Sequence, residues 1–175
     1  MSNNILPVKG THDIFGLEMN KYNFIIDKFY KISAKFNFQS IQTPIIENQE
    51  LFSRSVGEDT DIVSKEMYSF VDKGNTTICL RPEATSSRAR FAASNYQSGQ
   101  LKLSTHGPMF RRERPQKGRY RQFHQINIEN IGEKSSYIDF EIILIASTIL
   151  IELGLEADQY KLLINSLGSP EDQIN

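Results

Sequence analysis

The spacing of apolar and polar positions divides the chain into a short run of elements. From Leu17 to Phe36, the residues Tyr22, Ile25, Ile26, Phe29, Ile32, Ser33 and Phe36 recur at helical spacing, with Lys21, Asp27, Lys28, Lys31 and Lys35 largely opposite. That pattern predicts an amphipathic helix. Ser40 to Ile46 is rich in β-formers but carries Pro44. Proline donates nothing to a ladder, so this strand belongs at an edge or an interface. Glu50 to Val56 reads as a short helix ended by Gly57. Met67 to Val71 and Thr76 to Leu80 alternate as strands around an Asp72-Lys73-Gly74-Asn75 turn. A helix entered through Pro82 runs from Glu83 to Tyr96. Leu101 to Arg111 and Gln122 to Ile131 read as two strands around a long polar loop. Tyr137 to Leu153 is a strong helix closed by Gly154, and Tyr160 to Asn165 a last strand. Ser169-Pro170-Glu171-Asp172 has the cap, proline and acid of a helix start. The chain stops within a turn of it, so the sequence is expected to be a piece of something longer.

Strands joined by hairpins rather than crossovers predict an antiparallel α+β fold. No Gly-rich loop joins a strand to a helix, so neither a dinucleotide fold nor a P-loop is supported. The length of 175 residues suits one domain or a large part of one. With 39% hydrophobic and 23% charged residues, a low-complexity or disordered chain is excluded. Phe140 to Leu155, the longest apolar stretch, is interrupted by Glu141, Ser147, Thr148 and Glu152, which excludes a membrane span. Met1-Ser2-Asn3-Asn4 has neither the basic nor the apolar part of a secretory signal. Cys79 is the one cysteine, so no internal disulfide forms and a reducing, cytoplasmic setting is expected. Cys79 itself reads as a small buried apolar residue, and Lys102 as a surface one. His12, His106 and His124 show no metal-ligand spacing with one another or with Cys79, so no His/Cys metal site is expected.

Charge changes the picture in one place. From Lys102 to Arg121 the basic residues are Lys102, Arg111, Arg112, Arg114, Lys117, Arg119 and Arg121, against the single acid Glu113. Most are arginine, whose planar fork suits phosphate better than lysine does. This run sits within Gly107-Pro108-Met109-Phe110-Arg111-Arg112-Glu113-Arg114-Pro115-Gln116-Lys117-Gly118-Arg119-Tyr120-Arg121-Gln122-Phe123-His124-Gln125. An arginine beside an attacked phosphorus stabilises developing charge, and an aromatic ring on the outgoing strand offers a stacking face for a base. An exposed hairpin with a basic tip explains the same residues without a ligand. His124 is equally open to a nucleotide contact or a polar surface role.

That stretch resembles motif 2 of the class II aminoacyl-tRNA synthetases, and from Arg114 through Gln125 it is similar to the histidyl-tRNA synthetases in particular. Thr43-Pro44-Ile45-Ile46-Glu47 resembles motif 1, the dimer element of the class. Lys9-Gly10-Thr11-His12-Asp13 is similar to an N-terminal Arg-Gly-x-x-Asp segment. Leu80-Arg81-Pro82-Glu83-Ala84-Thr85 resembles Leu-Arg-Pro-Glu-Gly-Thr, which contacts the amino acid. Leu163-Ile164-Asn165-Ser166-Leu167-Gly168 matches the strand after the catalytic half, so the resemblance covers about residues 5 to 170.

The resemblance implies a six- or seven-stranded antiparallel sheet flanked by helices, with motif 1 near 38–57 and motif 2 near 105–131. It implies ATP as substrate with Mg2+, histidine and tRNA(His) as further substrates, and a homodimer. Glu83 and Thr85 would hold the α-ammonium of histidine, and Gln125 and Glu129 would line its pocket. Arg111, contacting the α-phosphate, and Glu113 would be the catalytic groups, Glu113 and Arg119 would sit around the triphosphate and its metal, and Phe123 would stack on adenine. On the period of two, Gln125, Asn127 and Glu129 share one face. Standing alone, Glu83 reads first as a complement to a helix dipole, and Glu129 as a solvated strand acid.

The sequence departs from the family pattern at Ala84 and Asn127, both where glycine is expected, and at Arg112, where histidine is common. Motif 3, with a second ATP-binding arginine, and an anticodon-binding domain are expected beyond residue 175. The chain alone is therefore expected to be incomplete for catalysis. Three other readings compete: the regulatory subunit of an ATP phosphoribosyltransferase, a paralogue with no need for an intact nucleotide loop; a plain nucleic-acid-binding module using the basic hairpin; and another class II specificity such as prolyl or threonyl, which the wording of the loop and the absence of metal-ligand residues disfavour.

Overall fold

The computed structural model describes residues 4–57 and 60–164. Helix α1 spans Leu17–Lys35, followed by strand β1 (Gln39–Ser40) and strand β2 (Ile46–Asn48). Helix α2 (Gln49–Val56) and a π-helical turn over Ile62–Glu66 precede the hairpin β3 (Tyr68–Val71) and β4 (Thr77–Leu80). Helix α3 (Thr85–Asn95), the long hairpin β5 (Leu101–Phe110) and β6 (Gln122–Ile131), and helix α4 (Ser136–Glu152) complete it. The architecture is α+β, as expected. The π-helical turn has no signal in the hydrophobic pattern.

The strands form two three-stranded sheets, β1-β5-β6 and β2-β4-β3, rather than one six- or seven-stranded sheet among the described residues. All pairings are antiparallel except the two-residue β1–β5 pair, which is parallel. The division falls in the stretch predicted as a single strand from Ser40 to Ile46. Ile41 donates to the Ser104 carbonyl and so stays with β5, whereas the Ile45 carbonyl accepts from Arg81 and so joins β4. Between them the Arg81 guanidinium occupies the carbonyls that a ladder would use: Nη1 donates to Thr43 O at 2.9 Å, to Thr43 Oγ1 at 3.1 Å and to Pro44 O at 3.5 Å. Pro44 lies at this break, where no ladder N–H is required.

Residues 160–164 form no strand, and Leu162, Leu163 and Ile164 are exposed. A strand needs a neighbour to satisfy its backbone, and none reaches these residues among the described ones. The predicted helix start at Ser169-Pro170-Glu171-Asp172 and the final residue of that strand, Asn165, lie outside the described residues.

The largest apolar cluster holds α1 against α4 and the back of the long hairpin. Phe29, Ile32, Phe38, Ile145 and Ile149 are buried together, with Ile128 of β6 packed against them. Ser135 caps helix α4, its hydroxyl accepting from Tyr137 N at 3.3 Å. A second cluster of Phe52, Met67 and Cys79 joins α2 to the small sheet. Cys79 is fully buried there, and burial pushes its thiol up to about 11. A third cluster, Ala92, Leu101 and Leu103, seats α3 on the other face of the long hairpin. Lys102 is not the free surface residue expected. Its ammonium donates to Glu141 at 2.8 Å and to the Phe36 carbonyl at 3.3 Å, tying β5 to α4 and to the end of α1.

Candidate functional site

The hairpin β5–β6 pairs over its full length, from Leu101 opposite Ile131 to Phe110 opposite Gln122. Alternation places Phe123, Gln125, Asn127 and Glu129 on one face of β6. Helix α3 covers part of that face, and the loop from Arg111 to Arg121 closes its open end.

At the loop end, Arg111 Nε donates to the Pro82 carbonyl at 2.9 Å, and its guanidinium carbon lies 5.2 Å from the Phe123 ring centre. This is cation–π geometry. Glu113 lies between two arginines, with Oε1 3.9 Å from Arg111 Nη1 and Oε2 3.6 Å from Arg119 Nη1. The separations are long for hydrogen bonds, so these are loose ion pairs. Arg119 is largely exposed and sits in a tight turn with Gln116, where each backbone N–H donates to the other's carbonyl. The loop is anchored from outside as well. Arg112 N donates to Glu66 O at 2.6 Å, and Arg121 N to Gly10 O at 2.7 Å. Gly10 has φ +87°, and a Cβ there would lie 2.9 Å from Arg121 Cγ, so the N-terminal segment approaches the loop this closely only as glycine.

Further along the same face the polar groups converge. Thr85 Oγ1 donates to Glu129 Oε1 at 2.7 Å. Arg88 Nη2 donates to that same oxygen at 2.7 Å and to Asn127 Oδ1 at 2.6 Å. Gln125 Oε1 is buried without a donor among the described residues. It faces Gly107 across the ladder, and the Arg81 guanidinium fills the space that a side chain at Gly107 would take. Glu83 accepts from Thr85 N at 2.5 Å and from Ser86 N at 2.9 Å, which makes its carboxylate the cap of α3. A cavity of about 570 Å³ opens beside this cluster, lined by Thr85, Glu129, Ala92, Tyr96 and Ile131 among others.

The two departures from the glycine pattern are accommodated. Ala84 has φ −107° and ψ −21°, ordinary for an L-residue, and is buried in the protein. The Asn127 side chain is engaged by Arg88. His124 points away from this face and lies edge-on to Tyr22 of α1, with ring centres 5.0 Å apart. Burial, with His106 and His12 nearby, lowers its pKa. Sequence reasoning missed Arg88 and the organising role of Arg81. Arg88 sits in Thr-Ser-Ser-Arg-Ala-Arg, where nothing in the pattern separates the buried Arg88 from the half-exposed Arg90 two residues on. Arg90 instead pairs with Glu47 at 2.9 Å, joining α3 to β2. Among the described residues no three His, Cys, Asp or Glu side chains cluster as a metal site, and no helix is long and apolar enough to cross a membrane.

The hairpin that carries Arg111, Phe123 and Glu129 is the segment similar to motif 2 of the class II aminoacyl-tRNA synthetases. The family model for histidyl-tRNA synthetase matches residues 10–168, and the chain belongs to that family. It is 47% identical to a histidine–tRNA ligase of Orientia tsutsugamushi (strain Boryong), over 99% of this chain and 41% of that protein. It is 45% identical to the histidine–tRNA ligase of Novosphingobium aromaticivorans, over 93% of this chain and 40% of the relative. The crystal structure of apo histidyl-tRNA synthetase from S. aureus superposes with a TM-score of 0.72 at 31% identity, covering 87% of this chain and 36% of that one. The chain thus spans about two fifths of the length of the relatives it matches. Relatives named as ligases at this identity do not favour the regulatory-subunit reading.

Proposed function

We propose that this chain carries the N-terminal part of the catalytic domain of a histidine–tRNA ligase. The observation that supports it best is that one face of one hairpin joins both chemistries, with Arg111 and Phe123 at the loop end and Gln125 and Glu129 beyond. In this reading a carboxylate oxygen of histidine attacks the α-phosphorus of ATP. A P–O bond forms, pyrophosphate leaves, and the histidyl group then passes to tRNA(His) with release of AMP. Arg111 stabilises the charge that develops on the α-phosphate, the largest kind of contribution a fixed cation makes. Phe123 stacks on adenine, and Glu113 and Arg119 flank the triphosphate. Glu83 keeps lone pairs free while capping α3, since an ionised carboxylate has about four acceptor sites. It therefore still receives the α-ammonium of histidine, with Thr85 assisting. Gln125 and Glu129 meet the side chain.

Mg2+ would neutralise phosphate charge in the transition state. Glu113 is the one acid of the loop and is already flanked by arginines, so the ion fits as cargo of the ATP phosphates rather than in a protein cage. Ile45 and Ile46 of the motif 1 segment are exposed, which suits a homodimer contact, and the expected setting is cytoplasmic. Motif 3 and the anticodon-binding domain belong to sequence outside these 175 residues.

Histidine-dependent exchange of labelled pyrophosphate into ATP tests the reading. A protein of the relatives' length that includes this chain should catalyse it, and the 175-residue chain should fall orders of magnitude short. Absence of exchange by the longer protein would refute the ligase reading.

A further inference from the structure

Arg88 lies at the centre of the pocket cluster, and no motif assigns it a role. Its side chain has no exposed surface, yet Nε and Nη1 have no acceptor among the described residues. Only Nη2 is satisfied, by Asn127 Oδ1 at 2.6 Å and Glu129 Oε1 at 2.7 Å, with Thr85 Oγ1 at 3.5 Å. As packing this is a poor choice. Withdrawing a guanidinium from water is costly, and an apolar side chain of similar volume is often equally stable or more so. Each unpaired buried donor adds to that cost. What Arg88 does achieve is geometric, because its one satisfied nitrogen touches three residues of the pocket wall.

We propose that Arg88 is a positioning residue of the amino-acid pocket, locking Thr85, Asn127 and Glu129 into one arrangement and compensating the Glu129 charge. The proposal rests on the reading of this pocket as the histidine site. Thr85 and Arg88 together saturate Glu129 Oε1, while no donor reaches Oε2 among the described residues. A ligand N–H therefore meets one acceptor, held in one direction. The same contact accounts for Asn127, whose side chain is drawn to α3 by Arg88.

The test is calorimetric titration of L-histidine and, separately, of ATP into a protein of the relatives' length that includes this chain and into its Arg88→Met and Arg88→Lys variants, with a thermal melt of each. Arg88→Met should weaken histidine about tenfold or more, a factor worth about 1.4 kcal/mol, and leave ATP affinity within about twofold. Arg88→Lys, which keeps one charged donor, should recover most of the histidine affinity. A packing role would lower the melting temperature and weaken both ligands together, without rescue by lysine, and that result overturns the proposal. So does histidine affinity unchanged in Arg88→Met. If that variant does not fold, Asn127→Ala carries the test, because it removes one acceptor and leaves the Arg88–Glu129 pair. It should weaken histidine alone, and unchanged affinity overturns the proposal. Failure of the site reading looks different: the unmodified protein itself binds no histidine, and the proposal falls with it.

Discussion

Gly107→Ala should destabilise the protein through Arg81 alone. A Cβ at position 107 would fall well inside 3.0 Å of Arg81 Nη2, closer than real Cβ atoms approach. The end of an arginine side chain is usually free to swing aside, but this one is not. Its Nε donates to Pro108 O at 3.0 Å and its Nη1 to Thr43 at 2.9 and 3.1 Å, and the residue is 3% exposed. The guanidinium is planar, so displacing Nη2 tilts the whole group and strains all three bonds. Losing one or two bonds to a charged donor costs about 2–4 kcal/mol. The gain from replacing glycine in a strand offsets about 0.5–1 kcal/mol of that. A net loss of about 1–3.5 kcal/mol lowers the melting temperature of a chain this size by about 2–14 °C. Thermal denaturation followed by circular dichroism reads it directly. The decisive control is Arg81→Met, in whose background Gly107→Ala should cost nearly nothing. An undiminished cost in that background, or a single variant as stable as the parent, refutes the reasoning.

Gly132→Ala should be harsher still and independent of Arg81. Gly132 has φ +97° and the new Cβ would run into the Gly99 backbone carbonyl, so a urea melt should show a loss of about 3 kcal/mol or more. Arg111→Ala in a protein competent for pyrophosphate exchange should lower the rate about 10²–10³-fold, whereas Arg114→Ala should change it little. Cys79 should resist alkylation in the native protein at pH 8 and react only on unfolding, as mass spectrometry would report. Its thiol is raised from 9.0 to about 11, so the unfolded chain loses this proton first. The contribution to stability is therefore complete below about pH 9 and disappears as the pH rises through about 11, which pH-dependent melts of the parent and Cys79→Ala would reveal.

Most elements were legible in the sequence, because they follow from local period and punctuation. The spacing from Leu17 to Phe36, the Asp72–Asn75 turn, and the glycines at 57 and 154 mark their elements to within a residue or two. The loop end of the proposed site was legible for a different reason: its residues are contiguous, so one motif contains Arg111, Glu113, Arg119 and Phe123. The end proposed for histidine was only partly legible. Alternation along β6 puts Gln125, Asn127 and Glu129 on one face, but it carries no information about what lies above that face.

What the sequence by itself determined is the set of local elements, the basic loop and the family. Tertiary structure alone decided the contacts between segments distant in the chain. The run from Ser40 to Ile46 divides between two sheets because Arg81, more than thirty residues on, takes the carbonyls of Thr43 and Pro44. Lys102 becomes a partly buried tether because Glu141 and the end of α1 meet it across the hairpin. Arg88 becomes part of the pocket because α3 packs where its guanidinium reaches Asn127 and Glu129, 39 and 41 residues away in sequence. A side chain's charge is written in the sequence, but its partner is set by packing, and for a buried charge the partner decides the role.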